Sequence, residues 1–194
     1  MIVLINRMSI ILIRGYSQSG KDFVGKILCK KYGYQRFAFA DPLKQLVVNK
    51  YQVSMQQLHS QKGKMEVCPE DEQQRTYRQI LIDEALLARS IDDNCFAKDC
   101  CKEIKKYDTK RVVITDWRYP NELEILKEYF PDYEITPVHL VRISQSNSPV
   151  VDRSEYQLVD RRNDRLIINT MDERIYQEVD DLISSISYNY QIVK

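Results

Sequence analysis

Five short runs of branched and aliphatic residues punctuate the chain, and most are followed by a stretch in which apolar positions return every three or four residues. The runs are Ser9 to Ile13 (SIILI), Arg36 to Ala40, Arg111 to Thr115 (RVVIT), Val138 to Ile143 and Arg165 to Ile168. SIILI is a branched apolar run without polar alternation, which is the pattern of a strand buried on both faces of a parallel sheet. Helical spacing predicts helices over Lys21 to Tyr32, Pro42 to Lys50, Met55 to Gln61, Gln74 to Arg89, Cys95 to Tyr107, Pro120 to Tyr129 and about Asp172 to Tyr188. Gly33 follows the first of these as a left-handed cap. Alternation of this kind predicts the α/β class, a central parallel five-stranded sheet with helices on both faces. The expected organisation is a single domain over residues 1–194, with an acceptor-binding region at about 41–110 and a polar lid segment at about 143–163.

Composition narrows the function classes. A chain of 194 residues with 43% apolar content can bury one sizeable core. Its 29 basic and 28 acidic side chains leave a net charge of +1, so there is no global field of the kind that holds a protein on nucleic acid or an anionic membrane. An anionic ligand must be met by a local cluster. Cys29, Cys68, Cys95, Cys100 and Cys101 show no Cys-x-x-Cys spacing, and His59 and His139 lie far from them, which argues against a disulfide framework or a zinc site. The apolar N-terminus is interrupted by Arg7 and is too short for a membrane span, so the expected setting is reducing and cytoplasmic.

The sharpest motif lies where SIILI meets the first helix, in Arg14-Gly15-Tyr16-Ser17-Gln18-Ser19-Gly20-Lys21-Asp22 (RGYSQSGKD). The whole chain has five glycines, and two of them stand at the places a phosphate-binding loop requires. Gly15 permits the turn off the strand, and Gly20 lets backbone amides converge at a helix N-terminus, where phosphate oxygens are favoured. Lys21 then reaches the β- and γ-phosphates of ATP. Asp22 is anomalous, because a Ser or Thr hydroxyl ordinarily follows the lysine and ligates Mg²⁺. A carboxylate is also a hard oxygen ligand for Mg²⁺, directly or through water, and without the cation it repels phosphate. Its alternative role is to cap the helix.

A second group of charges follows RVVIT, in Asp116-Trp117-Arg118-Tyr119-Pro120-Asn121-Glu122. Ligands of open α/β sheets bind beyond the carboxyl ends of the strands, which places Asp116 and Arg118 near the loop. Asp116 can hold Mg²⁺ or accept a proton, and Arg118 can fork onto a phosphate. Arg75, Arg78 and Arg89 fall within about 60° of one another on a helical wheel, a stripe suited to an acceptor phosphate or to a solvated face paired with Asp83 and Glu84. Asp41 and Lys44 repeat the strand-end pattern as candidate acceptor contacts. Residues 150–165 (VVDRSEYQLVDRRNDR) read either as a lid whose arginine closes on the transferring phosphate or as a salt-bridged surface. Asn169, ending LIIN, stands where an amide can read a base edge.

With these residues in place, the chain resembles the viral and bacteriophage-type deoxynucleoside monophosphate kinases of the P-loop kinase fold. The likeness rests on SGKD at Ser19 to Asp22, FADPLK at Phe39 to Lys44, RQILI at Arg78 to Ile82, DWRYPNE at Asp116 to Glu122, HLVR at His139 to Arg142, Ser154-Glu155 and LIIN ending at Asn169. It implies ATP-dependent, Mg²⁺-assisted phosphorylation of a deoxynucleoside monophosphate, in the host cytoplasm if the source is viral. Residues 15–22, Arg142 and Asn169 then hold ATP, with Lys21, Asp116, Arg118 and a lid arginine, Arg153, as the catalytic set and Asp22 and Asp116 on the metal. The acceptor side comprises Asp41, Lys44, Arg75, Arg78, Arg89, Trp117, Arg118 and Glu122, with Trp117 or Tyr119 stacking on the base. A homodimer through the apolar tail LISSISYNYQIV is left open.

The chain departs from that pattern in Trp117, where the family usually has a smaller residue, in Asp152, where a His often precedes Ser-Glu, and in Thr170-Met171, where glycine is expected. The animal-type phosphomevalonate kinases are similar too, sharing SGKDFV and PLK. They carry adjacent arginines after the strand-end Asp, whereas here Arg118 stands alone before YPNE, which favours the nucleotide acceptor. A non-catalytic nucleotide-binding regulator is the alternative from another class, and clustered acceptor-side arginines argue against it.

Overall fold

The computed structural model describes residues 8–143 and 164–188. Arg153 and nearly all of the expected lid lie outside them. In chain order the elements are β1 (Ser9–Arg14), α1 (Lys21–Tyr32), β2 (Gln35–Phe37), α2 (Asp41–Tyr51), α3 (Met55–His59), α4 (Gln61–Lys64), α5 (Tyr77–Ile91), α6 (Cys95–Lys106), β3 (Arg111–Ile114), α7 (Pro120–Tyr129), β4 (Glu134–Arg142), β5 (Arg165–Asn169) and α8 (Arg174–Tyr188). The strands form one parallel five-stranded sheet in the order β2-β3-β1-β4-β5. The α/β class expected of the sequence is therefore the class observed.

β1 occupies the middle of the sheet and is apolar on both faces. Ile10, Ile11, Leu12 and Ile13 are each 0% exposed, so neither face of the strand meets solvent. β4 starts earlier than the apolar run suggests, at Glu134, and includes Pro137. Pairing with β5 begins only at Val138, so Pro137, which lacks an N–H, precedes the stretch flanked on both sides.

The chain divides into two compact units, one of Phe39–Glu103 and one formed by the described residues on either side of it, the division falling within α6. The sheet unit is cored by Ile11, Ile13, Val24, Leu28, Val113, Val138, Leu140 and Ile167, closed by Ile175, Val179 and Leu182 of α8. The helical unit has its own core of Val47, Tyr51, Val53, Leu58, Cys68, Tyr77 and Ile80. None of the five cysteines forms a disulfide. Among the described residues no helix is long and apolar enough to cross a membrane.

Two of the helix boundaries that differ from expectation have a visible cause. Met55 to Gln61 is broken at Ser60, whose hydroxyl accepts the Gly63 N–H and starts α4. The helix expected from Gln74 begins at Tyr77, because Gln74 sits at φ 53° and Thr76 forms a capping box with Gln79. Arg75 therefore precedes α5 and is not part of an arginine stripe. Its guanidinium instead forks onto Asp71, through Nε at 3.0 Å and Nη2 at 2.5 Å, and donates through Nη1 to Asp83 at 2.9 Å. The acceptor contact gives way to an internal clasp of the helical unit, and of the expected alternative the pairing with Asp83 is the part observed.

Those Arg75 hydrogen bonds hold the Asp71 carboxyl at about 2. A carboxyl depressed in the folded state stabilises above its ordinary range, and that stabilisation disappears as pH falls through the folded value. We expect wild-type stability, read by urea unfolding, to decline between about pH 4 and pH 2, and Arg75→Gln to flatten that decline while lowering stability at neutral pH. An unchanged acid profile with weakened acceptor binding would return Arg75 to the acceptor side.

Candidate active site

The loop expected from sequence joins β1 to α1 in the central position of the sheet unit. Its turn closes through the Ser19 N–H donating to the Tyr16 carbonyl at 3.1 Å, with Gln18 at φ 62°, a costly conformation for a side-chain-bearing residue. Gly20 at φ 101° is the N-cap of α1 and offers no side-chain cap, so the first amides of the helix remain available to an anion. Lys21 lies across the loop, its Nζ donating to the carbonyls of Gly15 at 2.6 Å and Tyr16 at 2.7 Å. Among the described residues, Ser19 Oγ is the buried side-chain oxygen with no hydrogen-bond partner. A buried hydroxyl at the floor of an amide cradle is a donor set for phosphate oxygens, so the residues present suit a nucleotide phosphate.

Asp22 does not cap α1. Its Oδ1 accepts the Thr115 hydroxyl at 3.0 Å and lies 3.9 Å from Arg36 Nη2. Thr115 is the residue after β3, and Asp116 follows it. The Asp22 carboxylate and the Thr115 hydroxyl are hard oxygens of the kind Mg²⁺ takes together with phosphate and water. The sequence reading missed Thr115 and Arg36, since a neutral residue between a buried strand and a run of charges carries no signal of its own.

The turn after β3 corrects two further expectations. Trp117 is 2% exposed, its N–H donates to the Ile13 carbonyl at 3.2 Å, and its indole Nε1 donates to the Tyr119 carbonyl at 2.9 Å. An indole packed this deeply cannot stack on an acceptor base. Glu122 is 4% exposed and accepts the backbone N–H groups of Arg118 at 2.9 Å and Tyr119 at 3.1 Å. It is a brace that fixes the turn presenting Arg118, not an acceptor contact.

On the other flank of the loop, Asn169 is 4% exposed, donates through Nδ2 to the Ser19 carbonyl at 2.8 Å and accepts the Met171 N–H at 2.9 Å. Each end of the amide makes a hydrogen bond inside the fold, so Asn169 holds the loop. Met171 reaches it from φ 67°, the left-handed conformation for which a glycine was expected at this turn. Arg142 donates from Nη1 to the Gln18 carbonyl at 3.0 Å. Arg14 is buried and ion-paired with Asp164, which removes its charge from the loop and leaves Lys21 as the loop's phosphate-facing cation.

Within the helical unit, Lys44 donates to Asp41 at 3.3 Å and lies 3.3 Å from His59 Nδ1. Arg78 and Arg89 lie on α5, Arg78 exposed and Arg89 packed over the Phe96 ring at 4.9 Å.

A family model described as phosphomevalonate kinase matches residues 13–132, well over half of the chain. The chain belongs to the phosphomevalonate kinase family. The match takes in the loop and the turn from Asp116 to Glu122. Membership in the phosphomevalonate kinase family makes the protein a P-loop kinase and phosphotransferase, and at that level the resemblance drawn from sequence agrees with it. The deoxynucleoside monophosphate branch is a finer assignment than the match supplies. Among solved structures, the protein TT1252 of Thermus thermophilus aligns over 95% of this chain and 98% of its own with 13% identity and a TM-score of 0.50, a likeness of fold alone. Shikimate kinase of Aquifex aeolicus aligns over 94% and 99% with 17% identity and a TM-score of 0.47. Gluconokinase of Sinorhizobium meliloti aligns over 95% and 99% with 11% identity and a TM-score of 0.42. No curated protein sequence matches.

If Asn169 pins the loop, Asn169→Ala should weaken binding of ATP and GTP by the same factor and lower stability by about 1–3 kcal/mol, the cost of leaving buried backbone groups unpaired. Fluorescence titration with both nucleotides checks this. A selective loss of ATP would restore the base-reading role.

Proposed function

We propose that the protein transfers the γ-phosphoryl group of ATP to a phosphate oxygen of a small monophosphate ester, and that this ester is a deoxynucleoside monophosphate. The observation that carries phosphoryl transfer is the amide cradle with the unpartnered Ser19 hydroxyl at its floor and Lys21 across it. In the proposed reaction Lys21 exchanges the carbonyls of Gly15 and Tyr16 for phosphate oxygens, and the loop amides orient the donor. Asp22 and Asp116 are the residues that would hold Mg²⁺, which when bound neutralises phosphate charge. An acceptor phosphate is already ionised near neutral pH, so positioning and charge neutralisation, and not a strong base, carry the rate. Arg118, aimed by Glu122, orients the acceptor, and Arg153 is the arginine that closes on the donor.

The nucleotide acceptor is supported by the lone Arg118, followed by half-buried Tyr119, in a turn that resembles deoxynucleoside monophosphate kinases more than the paired arginines of phosphomevalonate kinases. Base contact falls to Tyr119 now that Trp117 is accounted for by packing. The second reading, phosphomevalonate as acceptor, is favoured by the family match over residues 13–132.

ADP formation from Mg²⁺-ATP should rise with at least one deoxynucleoside monophosphate in a panel that includes ribonucleoside monophosphates and phosphomevalonate. Stimulation by phosphomevalonate alone selects the second reading. Lys21→Ala is expected to reduce turnover on the order of 10²- to 10³-fold, the scale for loss of one oriented donor, and near-wild-type turnover in that variant would remove the loop from the mechanism.

A further inference from the structure

The loop lacks the hydroxyl that normally follows its lysine, yet a hydroxyl stands against the residue that replaces it. We infer that Thr115, from the end of β3, is a positioning residue that supplies this hydroxyl to Asp22 and fixes the carboxylate for the cation of the bound nucleotide. The inference rests on the kinase reading above and extends it to a residue 93 positions away in sequence.

Three observations converge on this contact. The Asp22 side chain is 79% exposed, so packing does not select its rotamer, and the Thr115 hydroxyl at 3.0 Å is its one hydrogen-bond donor among the described residues. Thr115 is 2% exposed and β-branched, hence stiff about χ1, and its backbone N–H is tied to the Phe37 carbonyl. A rigid donor therefore holds a mobile acceptor. The third observation is Gly25, where an added Cβ would stand 2.8 Å from Thr115 Cγ2. α1 and the end of β3 approach closely enough to exclude any side chain at that position, and this approach brings Oγ1 within reach of Asp22.

Oδ1 is thereby committed to Thr115, with Arg36 at 3.9 Å from the same oxygen, while Oδ2 accepts no hydrogen bond among the described residues. A carboxylate anchored through one oxygen presents the other in a fixed direction, the arrangement a cation or its water ligand needs. A merely structural Thr115 would satisfy its own hydroxyl and have no bearing on metal.

ADP binding by isothermal titration, with and without Mg²⁺, separates these roles without requiring turnover. Thr115→Val is expected to cut the Mg²⁺-dependent gain in ADP affinity about tenfold, the scale of one hydrogen bond to a charged group, and to leave metal-free affinity unchanged. Thr115→Ser should keep the gain. Asp22→Asn, at a largely exposed position, should lose it. In an Asp22→Thr background, where a hydroxyl is restored to the loop, Thr115→Val should have no further effect. Equal losses with and without Mg²⁺, or a loss that persists in the Asp22→Thr background, would overturn the inference. A wild type that binds ADP indifferently to Mg²⁺ overturns it and leaves nucleotide binding standing. A wild type that binds no ADP overturns the kinase reading as well.

Discussion

The constraint on which the site depends is steric, and it lies where the loop backbone passes the ends of β4 and β5. A Cβ at position 15 would collide with the Leu140 carbonyl oxygen, and one at position 20 would lie 2.5 Å from Asn169 Nδ2. Only glycine permits that proximity. Because of it, Asn169 reaches the Ser19 carbonyl and the Ser19 hydroxyl is buried at the floor of the loop, while glycine at position 20 leaves α1 without a side-chain cap. The strand order adds the remaining geometry. With β1 central between β3 and β4, the residues that follow β3 stand on one flank of the loop and Arg142 and Asn169 on the other.

Charge in this chain is local by necessity, since 29 basic and 28 acidic residues almost cancel. The structure spends two arginine charges internally. Arg14 is neutralised by Asp164, and Arg75 by Asp71 and Asp83. Lys21 lies across the cradle and Asp22 stands exposed beside it. A carboxylate beside phosphate is unfavourable in itself, and Arg36 at 3.9 Å from a largely exposed group compensates it weakly. That imbalance is the physical reason to connect Asp22 with a divalent cation.

The sheet was legible because its central strand is unbroken apolar sequence, and the loop because two of five glycines fall at the spacing a phosphate cradle needs. The limits of α1 and α7 matched the periodicity and caps residue for residue. The misread residues share one cause. Sequence shows that Trp117, Glu122, Asn169 and Arg75 carry polar groups, but not which way those groups face, and each turned out to satisfy a neighbour inside the fold. The late start of α5 was readable, since Thr76 and Gln79 have the spacing of a capping box. Thr115 was not, because its partner lies on another element and the contact exists only once α1 is seated against β3.

The proposed function comes down to one claim, that the cradle delivers phosphate to another phosphate and not to water. Incubation with ATP labelled in the γ-phosphate, Mg²⁺ and a mixture of deoxynucleoside monophosphates and phosphomevalonate tests it most directly, with the labelled products separated by chromatography. The account predicts label in a diphosphate product, a deoxynucleoside diphosphate first among them. Label found only in inorganic phosphate, at a rate that no acceptor changes, would contradict it.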